Sequence, residues 1–97
     1  MLSAYETPEF RKRADKVWTE EERLDFISWI VQNPFAGDVV PGSKAARKVR
    51  WGREGVGKSG GVRVIYYYLS EDGLIYLATL YTKSERESMT AAQIKRI

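Results

Sequence analysis

The chain has 97 residues, an apolar fraction of 43% and a net charge of +3, enough for one domain with a modest core and no more. It contains no cysteine and no histidine. This excludes disulfides, thiol chemistry, the usual zinc ligands and every Ser-His or Cys-His nucleophile scheme, and no cofactor is implied. No apolar run approaches membrane-spanning length and no signal-peptide pattern opens the chain, so a soluble cytoplasmic protein without a membrane partner is expected.

In chain order, residues 1–6 decide between neither a lead-in strand nor a tail. Thr7-Pro8 then supplies an N-cap and a first-turn proline, and Phe10, Ala14 and Val17 follow on one helical face. Thr19-Glu20-Glu21-Glu22 is a capping box, continued by the apolar stripe Leu24, Ile27, Ile30 and Val31 and stopped at Asn33-Pro34. Trp18 and Trp29 belong with this core. Residues 35–43 read as a loop. Residues 47–51 (RKVRW) read as a short strand, residues 62–69 (VRVIYYYL) as the strongest strand, and Glu71-Asp72-Gly73 as a hairpin turn into a strand over 74–81. Thr90 caps a short last helix over 91–97, which ends on a lone isoleucine as a trimmed or partner-completed helix would.

Helices followed by strands predict α+β: one domain over residues 1–97, two N-terminal helices on one face of a small antiparallel sheet, and a short C-terminal helix. Alternation along 62–69 separates Val62, Val64, Tyr66 and Tyr68 from Arg63, Ile65, Tyr67 and Leu69. A buried unpaired arginine is costly, so the Arg63 set is placed on an open face suited to a ligand or partner.

The charge is not spread evenly. Residues 1–33 hold five Lys/Arg against seven Asp/Glu and residues 64–97 hold four against four, while residues 34–63 hold seven against two. Those seven are Lys44, Arg47, Lys48, Arg50, Arg53, Lys58 and Arg63. A focused cationic segment on a small domain points to a polyanion, with a phosphate backbone the commonest target. Within it, residues 52–59 (GREGVGKS) match the phosphate-loop pattern. That match is rejected on context, because a phosphate loop opens a helix and here a strand follows.

The runs GKSGGVRVIYYY (57–68), ARKVRW (46–51) and ATLYTKSE (78–85) resemble the HigB-type branch of the RelE/ParE toxin superfamily, and the helices, the GDVVPG loop (37–42) and the strand order agree over roughly residues 5–95. The resemblance implies a type II toxin that cuts messenger RNA on the ribosome and stops translation. It implies a cognate HigA-type helix-turn-helix antitoxin, with operator DNA met only through that antitoxin. The open sheet face and the last helix are candidates for the antitoxin contact. It places Arg63 at the scissile phosphate, Lys48 and Arg50 as a basic strand pair, and Lys83 in a contributing loop. Ser84 stands where a basic residue is often found, no tyrosine matches the C-terminal one of some members, and the glycine-rich loop brings Arg53 and Lys58 instead.

Cutting RNA without a metal uses the 2′-hydroxyl as nucleophile, and needs a base, cations for the phosphorane and a proton donor for the 5′-oxygen. Arginine forks suit the cationic role. Lys48, packed among cations, is the candidate base, with Lys58 and Lys83 as rivals. Tyr81 is a candidate proton donor or stacking group, and Trp51 a candidate stacking group. Arg47, Arg53, Lys58 and Tyr67 complete the expected RNA-binding set. The tyrosines of 66–68 read first as sheet packing and Glu85 as a solvated loop carboxylate, an orienter of Lys83 being the alternative. Two other functions share the sequence features: a ParE-like gyrase inhibitor without RNA chemistry, and a non-catalytic nucleic-acid-binding module.

Overall fold

The computed structural model describes residues 2–52, 61–85 and 88–97. The element order is β1 (Ser3–Glu6), α1 (Pro8–Val17), α2 (Glu20–Gln32), β2 (Asp38–Val39), β3 (Arg47–Trp51), β4 (Val62–Leu69), β5 (Leu74–Thr82) and α3 (Ala91–Lys95). Local chemistry sets most boundaries. The Thr7 hydroxyl accepts from the Phe10 N–H with Pro8 at the first helical position, and complete capping boxes open α2 at Thr19/Glu22 and α3 at Thr90/Gln93. Between β4 and β5 the chain makes one 3-10 turn, Ser70–Asp72, and reverses at Gly73, whose φ of 62° suits glycine.

The sheet has five strands in the order β1-β5-β4-β3-β2. It is mixed rather than purely antiparallel, because residues 3–6 form an edge strand parallel to β5, pairing Ser3 with Leu74 through Glu6 with Leu77. The connection between the two parallel strands is long, running from α1 through β4, as parallel pairing requires. The expected loop over 35–43 contains the two-residue strand β2, which pairs Asp38 with Lys48.

In β5 the extra residue Ala78 interrupts the register, with Leu77 opposite Tyr66 and Thr79 opposite Ile65. This bulge bends the strand and frees carbonyls from the ladder. The buried Thr7 hydroxyl bridges two of them, Leu77 O and Ala78 O, each at 2.9 Å, and so locks the start of α1 to the bulge.

One face of the sheet carries the main core. Phe10, Ala14, Trp18, Phe26 and Ile30 from the helices meet Val49, Val62, Val64, Tyr66, Ile75, Leu77 and Leu80. The α2 stripe is rotated from its expected position. Leu24 is 50% exposed, while Arg23 is buried and ion-paired to Glu6 at 2.6 Å. The other face is not open. Ile94 of α3 closes a second cluster with Ala46, Ile65, Ala78 and Tyr81, edged by Val40, Tyr67, Tyr76 and Met89. Among the described residues, no helix is long and apolar enough to cross a membrane.

Candidate nucleic-acid interface

Strand β3 sends alternate residues to opposite faces. Val49 and Trp51 join the helix-side core, which leaves Lys48 and Arg50 on the far face. In register, Arg50 lies opposite Arg63, and Arg63 lies opposite Tyr81. The next row is Lys48, Ile65 and Thr79. The structure therefore brings Lys48, Arg50, Arg63 and Tyr81 onto one patch spanning β3, β4 and β5. Lys83 stands exposed two residues beyond Tyr81, in a turn closed by the Glu85 N–H donating to Thr82 O at 3.1 Å.

Arg63 is on the face expected for it but is only 7% exposed, so it does not stand on an open surface. Its Nη1 donates to Gly61 O at 2.9 Å, which turns the guanidinium back toward the start of β4. Lys48 and Arg50 are exposed. The patch is thus graded: a buried, held guanidinium beside two solvent-facing cations. Like charges directly opposite one another weaken a sheet unless a counter-charge joins them.

The expected stacking groups lie elsewhere. Trp51 is on the helix side, its ring 4.8 Å from Trp29 and 5.5 Å from Phe26, because neighbours along a strand point apart. Arg47 shares that side. It donates to Gly37 O at 2.7 Å and lies over the exposed Phe35 ring at 5.1 Å, away from the Arg50–Arg63 row. Tyr81 is 1% exposed, so it lines the floor of the patch rather than offering a ring to a base. Tyr67 is on the patch's face but farther along β4, half-buried in a row with Tyr76 and Tyr5 (centroids 6.1 and 5.6 Å apart). Burial there pushes its hydroxyl pKa up. Arg53, Lys58 and most of the phosphate-loop match lie outside the described residues.

Two features went unread in the sequence. Tyr66 is a buried hydrogen-bonding post: its hydroxyl accepts from the Gly37 N–H (2.9 Å) and donates to Pro34 O (2.8 Å). Burial raises its pKa. It ties the 34–37 loop to the sheet that carries the cations. The second is an ionic chain from α1 to the end of β5. Arg13 bonds Glu9 and reaches Glu85 at 3.6 Å, and Glu9 also accepts from the Thr79 hydroxyl at 3.2 Å. The Arg13 bond holds the Glu9 carboxyl below its ordinary pKa, against the opposing effect of burial. The i,i+4 spacing of Glu9 and Arg13 was the available signal. Glu9, Arg13 and Glu85 line a cleft of about 410 Å³ between α1 and the end of β5, with Lys12, Lys16 and Ser84.

No family model matches the chain.

Proposed function

We propose that this chain is a RelE-like toxin of a type II toxin–antitoxin pair, a cytoplasmic endoribonuclease that cuts messenger RNA on the ribosome and is held inactive by a HigA-type antitoxin. The observation that carries this reading is the pairing of Arg50 with Arg63 across adjacent strands, with Lys48 beside them on the same face. Like charges at directly opposite positions on neighbouring strands work against the sheet. They suit a phosphate, whose non-bridging oxygens take two arginine forks at once.

In the proposed reaction the RNA 2′-oxygen attacks the adjacent phosphorus. Arg50 and Arg63 neutralise the phosphorane, the charge that grows most between ground and transition state. Lys48 takes the 2′ proton, the bond to the 5′-oxygen breaks, and Lys83 gives a proton to that oxygen. The products are a 2′,3′-cyclic phosphate and a 5′-hydroxyl. No step calls for a metal.

The test is to map messenger RNA 5′ ends after pulse expression, wild type beside Arg63→Ala. New cuts in translated regions, absent in the mutant, are expected. Growth arrest with intact messages would overturn the nuclease reading and favour a gyrase-inhibiting relative of the same fold. RNA binding with a steep salt dependence and no cutting would favour a plain binding module.

A further inference from the structure

We infer that Glu85 is a positioning residue that fixes Lys83 for the leaving-group step, and that Arg13 of α1 holds Glu85 in place. This inference rests on the nuclease reading above.

The observation is a set of bonds around the Lys83 turn. One oxygen of Glu85 accepts from both the Thr82 N–H (3.0 Å) and the Thr82 hydroxyl (3.1 Å). The same hydroxyl meets Ser84 Oγ at 3.0 Å. The Glu85 N–H returns to Thr82 O, so Lys83 and Ser84 are the two central residues of a turn bonded at both ends. The second Glu85 oxygen faces Arg13, which Glu9 anchors from the other side. A solvated loop carboxylate has no need of this geometry. Here the side chain does what a strand partner would, since the last residue of β5 donates its N–H to a carboxylate rather than only to a neighbouring strand.

The consequence is mechanical. Tyr81 is locked in the row with Arg50 and Arg63, and Lys83 leaves the sheet two residues later. Whether its ammonium points back over the row or into solvent depends on the backbone of residues 82–85, and Glu85 sets that backbone. A proton donor on a long, flexible stem loses effectiveness when its base can swing. Glu85 touches no substrate in this scheme and acts only through Lys83.

A double-mutant cycle tests this. Single-turnover cleavage of a translated message is measured for wild type, Glu85→Ala, Lys83→Met and the double variant, with hydrogen exchange of the Thr82 amide in parallel. Glu85→Ala should lower the cleavage rate by about ten-fold in the wild-type background and less than about two-fold in the Lys83→Met background. Thr82 exchange should quicken in Glu85→Ala, and Glu85→Gln, which keeps the acceptor, should recover most of both losses. An equal loss in both backgrounds would mean a purely structural role and would overturn the inference. So would full activity in Glu85→Ala. If Glu85→Ala does not fold, the same cycle is run with Arg13→Met, expected to give a smaller loss with the same dependence on Lys83. A folded wild-type protein that cuts no message would overturn the nuclease reading and this inference together, whereas an active wild type indifferent to Glu85 would overturn this inference alone.

Discussion

Arg50 and Arg63 stand directly opposite each other on β3 and β4, one exposed and one buried. Such a pair is a liability to the fold and an asset to an anion site, so its two effects should separate on mutation. Arg50→Gln is expected to leave stability unchanged or raise it by roughly 0.5 kcal/mol, the scale of cross-strand pairs. The same change should lower cleavage by about 10²-fold, as loss of one transition-state donor does. Chemical denaturation beside the cleavage assay reads both, and a stable variant that still cuts at the wild-type rate contradicts the site.

Arg63→Lys should fare little better than Arg63→Ala in cleavage. An ammonium cannot reproduce the fork that lets one edge bond Gly61 O while the other meets phosphate. Equal activity of the lysine variant and wild type would reduce Arg63 to a point charge.

Trp51 should matter to stability and not to RNA. Its ring packs against Trp29 and Phe26 on the helix side. Trp51→Ala is expected to cost about 2–3 kcal/mol, below the usual range for a fully buried aromatic because the side chain is only partly covered. RNA affinity of the folded fraction should be unchanged. A selective loss of affinity would restore Trp51 as a stacking group.

Arg23 and Glu6 form a largely buried pair at 2.6 Å that links α2 to β1. Glu6→Ala leaves the guanidinium buried without that partner and should cost about 3 kcal/mol, whereas replacing both residues by apolar ones should cost far less. Thermal melts of the single and double variants check the inequality.

The Glu9–Arg13 bond predicts an acid dependence. The folded-state pKa of Glu9 lies below its ordinary 4.5, so its contribution to stability is present above that value and is lost as pH falls through the lower folded value. The stability gap between wild type and Glu9→Gln should therefore narrow on acidification below pH 4.5, with no change above it. A gap that is flat through this window would show that the bond does not bias the ionised form.

Most of the elements, and through them the α+β class, were legible in the sequence, whereas the edge strands β1 and β2 were not. Thr7-Pro8, the Thr19/Glu22 and Thr90/Gln93 boxes and Gly73 act within a few residues, so their effect is readable without any partner. Strand parity is equally local. It set Arg63 and Ile65 apart from Val62 and Val64, and it also separates Trp51 from Arg50, a consequence obscured by their adjacency in the chain.

Tertiary structure alone decided the rest. That Arg50 meets Arg63 depends on register, and register is chosen by contacts between segments far apart in sequence. The Ala78 bulge, the parallel docking of β1 and the closure of the second face by Ile94 are likewise non-local, as are the burial of Arg63 and the displacement of Leu24 by Arg23. Glu85 shows the same division. Its bonds to Thr82 are local, whereas the contact with Arg13 of α1 is made only in the folded chain. Local free-energy preferences write themselves into short windows of sequence, whereas coverage, pairing and charge proximity belong to the folded chain as a whole.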